Sequence, residues 1–158
     1  MAAKNWHVKE KKCALFLPEV EFLGHVMSAA GVKVAVDKVD AVASWPTPTC
    51  VCEVQGILGL VNFYRRFVKG FAIIAKPLTD LMQKAIEFKW EATEEAAFEA
   101  LKKALMTAPI LQVFNEKSHE VWVDALDYTV GATLVQPSDD GKTWLPVEYL
   151  SHRLSVAE

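Results

Sequence analysis

Between Glu53 and Phe71 the chain reads EVQGILGLVNFYRRFVKGF, and this stretch constrains the fold more than any other. Val54, Ile57, Leu58, Val61, Tyr64, Val68 and Phe71 recur at the period of an α-helix, and Leu60, Phe63 and Phe67 widen the apolar stripe. A rod with so broad an apolar face belongs against a core. Asn62, Arg66 and Lys69 fall on another face, with Arg65 flanking it. Two readings are open: a core helix with a solvated basic edge, or a helix that lays its cations along a phosphate backbone. Periodicity does not choose between them.

A length of 158 residues suits one domain or two small ones, and 52 % hydrophobic with 23 % charged residues is the balance of a chain with a packed core. No apolar run approaches the ~20 residues needed to span a bilayer. The opening MAAKNWHVKEKKC has basic residues without an apolar segment behind them, so it does not read as a signal peptide. An intracellular setting, cytoplasmic or nuclear, with no membrane partner, is expected. Cys50 and Cys52 are too close for a CxxC knuckle, Cys13 stands apart, and His7, His25, His119 and His152 form no HxxxH pair. Free thiols are therefore expected, and a His/Cys metal site is not. The net charge of −3 is not that of an independent nucleic-acid-binding domain. Cations gather at Lys9–Lys12 and Arg65–Lys69 and acids at Glu87–Glu99, so any contact with nucleic acid would be local.

Val20, Phe22 and Val26, then Val32, Val34 and Val36 around Gly31, predict a β-hairpin over 20–36. Asp37 is placed to cap a short helix that Pro46 and Pro48 stop. After the long helix, with Gly70 as a weak point, Pro77 opens another short helix with Leu78, Leu81 and Met82 on its apolar side. Phe88 and Trp90 make an aromatic pair in an extended link. Thr93 is placed to cap a further helix, without a capping box, whose seam is Phe98, Leu101 and Leu105. From His119 the period becomes two. Val121, Val123 and Ala125 share one strand face and Trp122, Asp124 and Leu126 the other; residues 130–136 and 145–150 return as further strands across an Asp140-Gly141 turn. The fold class is α+β: an N-terminal hairpin (1–36), a helical middle (37–112) and a C-terminal antiparallel three-strand meander (113–158).

The run Leu58-Gly59-Leu60-Val61-Asn62-Phe63-Tyr64-Arg65-Arg66-Phe67 resembles the FLGLxNYYRRF signature of gypsy-type LTR-retrotransposon reverse transcriptases. Further matches follow in the family's order. Lys12-Cys13 and Glu19 to His25 are similar to KCxFxxxEVxFLGH, and Lys38–Ala41 with Trp45-Pro46-Thr47-Pro48 to its KVxA…WPxP stretch. Lys76-Pro77-Leu78-Thr79, Phe88-Lys89-Trp90, Ala97–Lys102, Ala108–Leu111 and Asp124-Ala125 complete the series, covering about Lys12 to Glu158.

The resemblance implies a strip of a reverse transcriptase/RNase H polyprotein: the primer-grip end of the palm, a thumb-like middle, and the start of an RNase H sheet. It implies an RNA–DNA hybrid or duplex as partner, weakly held, with Arg65, Arg66 and Lys69 as the basic part of the thumb and His25 as a possible phosphate contact. It implies Mg2+ as the family's cofactor and Asp124 as the first catalytic, metal-binding carboxylate of the RNase H site. The family's YxDD-type turn is missing, since Asp139-Asp140 in PSDDGK reads as turn chemistry. The next RNase H carboxylate lies beyond an LSxAE-like segment that Leu154–Glu158 matches at the chain's end, so Glu158 is not that residue. One carboxylate does not position two divalent ions, and neither polymerase nor nuclease activity is expected of this chain alone. Leu126 and Thr129 stand where the family has small residues, Gln55-Gly56-Ile57 where it has Arg-Ser-Phe, and Val36 where Pro is common. A retroelement-derived protein–protein interaction module, with Trp45, Phe88 and Trp90 as contact residues, is the alternative. A three-strand meander with an unpaired edge would also favour self-association.

Overall fold

The computed structural model describes residues 9, 13, 15–83, 86–116, 118–126 and 128–154. Lys12, His7 and the segment from Ser155 to Glu158 lie outside them. Two antiparallel sheets flank a helical middle, the α+β arrangement expected.

The first sheet has three strands where a hairpin was expected: β1 (Glu19–Phe22), β2 (His25–Ser28) and β3 (Gly31–Val34), paired in that order. The interruption at Leu23-Gly24 is itself a turn, with both residues at positive φ (51° and 74°). That reversal pairs Phe22 with His25 and leaves His25 facing the helices. Leu111 pairs with β3 from a distant part of the chain, exchanging two backbone hydrogen bonds with Val32 (2.7 and 2.9 Å).

Helix α1 spans Val36–Ala43. Its N-cap is Ala35 with no side-chain cap; Asp37 lies inside the first turn, beside the N-terminal dipole, and pairs with Lys38 at 2.8 Å. Helix α2 spans Val51–Phe63 and buries Val54, Ile57, Leu58 and Val61. The Glu53 carboxylate accepts the Thr49 backbone N–H (2.6 Å) and hydroxyl (3.0 Å), which fixes the chain's entry into α2.

The long rod expected to run to Phe71 stops at Phe63. Tyr64 caps α2, a 3-10 turn takes Arg65–Phe67, and Gly70 at φ 66° begins α3 (Phe71–Ile74), followed by α4 (Lys76–Asp80). The break has a tertiary cause. The Tyr64 hydroxyl donates to the Gly24 carbonyl (3.3 Å), which also accepts the Ala35 N–H (3.0 Å), and the Tyr64 ring meets His25 edge-on at 5.4 Å. Tyr64, Phe67, Val68 and Phe71 remain buried, so the apolar stripe enters the core from several short pieces.

Helix α5 (Ala92–Met106) buries Phe98, Leu101 and Leu105, the expected seam. Its cap is Glu91, two residues before Thr93, and Glu91 forms a capping box with Glu94, whose carboxylate accepts the Glu91 N–H at 3.1 Å. Trp45, Phe88 and Trp90 pack against the core, with Trp90 edge-on to Phe98 at 5.8 Å and its indole N–H on Glu95 at 2.6 Å.

The second sheet is the meander β4 (Glu120–Leu126), β5 (Thr129–Pro137) and β6 (Trp144–Arg153). Register shifts between Leu134 and Val135, opposite the donorless Pro146. Buried Gln136 ties β5 to the approach segment: its amide donates to the Asn115 carbonyl (2.8 Å) and side chain (2.7 Å) and accepts the Asn115 N–H (3.2 Å). Ser138 and Asp140 hydrogen-bond within the β5–β6 turn, where Gly141 has φ 67°. Among the described residues strand β4 pairs with β5 alone, and it is exposed along its length, including Val121, Trp122, Val123 and Leu126. Among the described residues no helix is long and apolar enough to cross a membrane. Cys13, Cys50 and Cys52 are exposed and free.

Candidate nucleic-acid interface

His25 sits at the start of β2, half-buried in an aromatic nest. It stacks on Phe63 (5.3 Å, 6° between planes), with Phe67 tilted at 5.6 Å. Among the described residues its buried Nδ1 has no hydrogen-bond partner, and neither has Nε of half-buried Arg66. Burial, and secondly the Arg66 charge, lower the His25 pKa below its ordinary value. The unfolded chain therefore takes up that proton first as the pH falls. His25 thus favours folding fully above about pH 6.5 and progressively less below it. Urea unfolding should give a midpoint that declines from pH 7 to 5.5, and His25→Gln should flatten that decline. An equally steep decline in the variant would assign it to other groups.

The three cations of the former rod separate. Arg65, in the 3-10 turn, swings toward β6, donates to the Ser151 carbonyl and lies 5.9 Å over the Phe71 ring. Ser151 in turn accepts the Ala72 N–H through its hydroxyl at 3.0 Å, so Arg65 and Ser151 together fasten the helical middle to the meander. Arg66 lies close enough to His25 for its charge to lower that pKa. Lys69 is exposed in the turn before Gly70.

Asp124 is exposed near the end of β4, opposite Gly131. Lys69, Gly70 and Ile73 line one wall of a cleft of about 140 Å³; Trp122, Asp124, Gly131 and Leu150 line the other. Two predicted site residues, Lys69 and Asp124, thus meet across the junction of middle and meander. Thr129, whose buried hydroxyl has no partner among the described residues, lines the same cleft. A two-metal centre does not fit this donor set. Among the described residues Asp124 is the one carboxylate lining the cleft, Glu120 is engaged by the Trp122 indole N–H at 2.8 Å, and no three His, Cys, Asp or Glu side chains gather at one point.

The outward face of α2 carries no cation, so charge patterning does not reveal it. Gln55, Gly59, Asn62 and Phe63 are all exposed there, nothing approaches the Gly59 Cβ position within 4 Å, and Phe63 carries the stack on His25. Two amides, a glycine and an aromatic ring form a surface that can approach a nucleic-acid groove closely and read its shape by hydrogen bonds and apolar contact. The available signal was a helix with a glycine-containing face empty of charge. Solvated helix faces are usually charged.

The sequence profile of the RNase H-like domain found in reverse transcriptase matches residues 90–158. The Transposon Tf2-3 and Tf2-4 polyproteins of Schizosaccharomyces pombe are each 33 % identical over 155 residues. The match takes in 98 % of this chain, which spans only 12 % of those polyproteins. Among solved structures, the foamy viral protease-reverse transcriptase in complex with RNA/DNA hybrid superimposes with a TM-score of 0.76 at 32 % identity, over 92 % of this chain and 20 % of that one. The same viral protein in complex with dsDNA gives 0.76 and 32 %, over 93 % and 31 %.

Proposed function

Because the chain belongs to the reverse transcriptase/RNase H family of retrotransposon polyproteins, we propose that it cradles an RNA–DNA hybrid or duplex without completing a catalytic centre of its own. In this reading residues 1–36 are the primer-grip-like part, with β1 to β3 as its sheet, 37–112 the thumb-like region, and 113–158 the N-terminal part of an RNase H-like domain, with β4 to β6 as its opening strands. The observation that carries it is the cleft where Lys69 from the thumb-like turn faces Asp124 from β4. Lys69 supplies a phosphate contact, the Gln55–Asn62 face of α2 approaches the groove, and His25 and Arg66 shape the surface beside it. Arg65 holds the two parts in register. Divalent metal belongs to the complete RNase H-like site, and Asp124 contributes one ligand to it. The described residues of this chain do not supply the rest.

Binding of a fluorescently labelled RNA–DNA hybrid, followed by anisotropy against salt, tests this. Lys69→Ala should weaken binding and flatten the log–log salt slope by about 0.9, the loss of one phosphate contact. Asp124→Asn should tighten binding by removing a facing negative charge. Absence of binding at low salt, with the circular dichroism of a folded chain, would sink the reading. Mg2+-dependent hybrid cleavage that vanishes in Asp124→Asn would overturn its non-catalytic part.

A further inference from the structure

A second basic cavity, of about 220 Å³, opens where α3 and α4 meet the end of β6, and Arg65, Lys76, His152 and Arg153 line it together with Thr79 and Ser151. We infer that this seam is a phosphodiester-binding site, over which the backbone of a bound duplex continues beyond the Lys69 cleft. The inference rests on the hybrid-binding reading above and adds to it a site of its own.

The argument starts from charge. In a chain of net charge −3, three formal cations (Arg65, Lys76 and Arg153) line this cavity, and one carboxylate beside it pairs with two of them, Lys76 and Arg153. Asp80 is that carboxylate: its Oδ2 accepts Lys76 and its Oδ1 accepts Arg153, both at 2.8 Å, and Oδ1 also accepts the Gln83 amide at 2.9 Å. Burial pushes the Asp80 carboxyl upward, but the hydrogen bonds from Lys76 and Arg153 outweigh it, and its pKa is lowered. An Asp80 ionised at neutral pH therefore pairs with the Lys76 and Arg153 heads while cancelling one charge of the cavity's three. The Lys76 and Arg153 side chains stay 39 % and 44 % exposed, so both cations remain accessible to a ligand.

Continuity supplies the second argument. A groove lined by Arg65, Ala132, Leu150, Ser151 and His152 shares Ala132 and Leu150 with the Lys69–Asp124 cleft. It shares Arg65, Ser151 and His152 with the basic cavity. A polyanion lying in the first cleft thus has a lined path to the second, whereas a free phosphate would need only the second.

The test uses the full chain and the labelled hybrid. Lys76→Gln with Arg153→Gln should flatten the log–log salt slope by about 1.8, two phosphate contacts' worth. Asp80→Asn, which frees both cations, should tighten binding; a purely structural role for the Lys76–Asp80–Arg153 group would predict the opposite. An unchanged slope in the double variant, while Lys69→Ala still flattens it, would overturn the seam site and leave the hybrid-binding reading standing. Weaker binding by a folded Asp80→Asn would also overturn the seam site. Wild-type chain that binds no hybrid would remove both. Inorganic phosphate, titrated while amide NMR shifts are followed at residues 76, 152 and 153, should perturb them only at concentrations far above those at which the hybrid does. Equal potency would assign the cavity to free anions and overturn the duplex path.

Discussion

Gly31→Ala is expected to remove at least about 3 kcal/mol of folding stability. Gly31 has φ +128°, a region that side chains rarely enter, and forcing a non-glycine residue there costs about 1–3 kcal/mol. Space is the harder limit. A Cβ at this position would lie 2.2 Å from the Leu111 carbonyl oxygen and 2.9 Å from Cγ2 of Ile110. That oxygen is fixed because it accepts the Val32 N–H, and Leu111 donates back to the Val32 carbonyl. Relief requires moving β3 away from Leu111, and each hydrogen bond lost adds about 0.5–1.5 kcal/mol. For a chain of this size the melting temperature should fall by about 6–12 °C. Gly59→Ala is the matched control: nothing lies within 4 Å of its Cβ position, and alanine in a helix interior is favoured by about 0.5–1 kcal/mol, so its melting temperature should rise slightly. A Gly31→Ala chain melting with the wild type would show that the β3–Leu111 pairing does not constrain the fold.

This tie between residues 31 and 111 also illustrates what periodicity hides. Alternation placed Asp124 on its strand face, and the spacing of Phe98, Leu101 and Leu105 marked the buried side of α5, because each signal is local and repeats several times. The break after Phe63 had no such signal. It depends on a hydroxyl bonding to a carbonyl forty positions away, and the apolar period runs on unbroken because the short pieces after it bury the same residues. Arg65 is the same lesson in a functional residue. On an ideal helix it flanks the basic face, but the 3-10 turn rotates it toward β6, where Ser151 captures it. Its neighbour Lys69 stays outward, so two cations four positions apart take different tasks. The cap of α5 is hard to read in the sequence for another reason. Glutamate is a poor N-cap by preference and Thr93 nearby is a better one, although the spacing from Glu91 to Glu94 is that of a capping box. The cleft facing Lys69 and the basic seam at Lys76 and Arg153 depend on which elements meet. No spacing along one element encodes that.

Phe98→Ala should cost about 3–5 kcal/mol, and the loss should leave hybrid binding intact. Phe98 is 1 % exposed, meets Trp90 edge-on at 5.8 Å, and carries the Lys102 ammonium 4.6 Å above its face. Lys102 in turn donates to the Trp45 carbonyl at 3.0 Å, so a single ring holds α5 against both the 45–50 segment and the extended Phe88–Trp90 link. Removing it leaves a cavity that neighbours on three elements cannot close together. It also strips Lys102, 13 % exposed at its side chain, of its aromatic partner. Phe98→Leu keeps most of the volume and should lose less than about 1.5 kcal/mol. None of these groups lines the Lys69 cleft or the basic seam. Well below its lowered melting temperature, the Phe98→Ala chain should therefore bind hybrid within about twofold of wild type, since distant sites act independently. Lys69→Ala should do the reverse, weakening binding while melting unchanged. If Phe98→Ala lost binding in proportion to stability, the interface would extend into the α5 core, and the cleft between Lys69 and Asp124 would not be its centre.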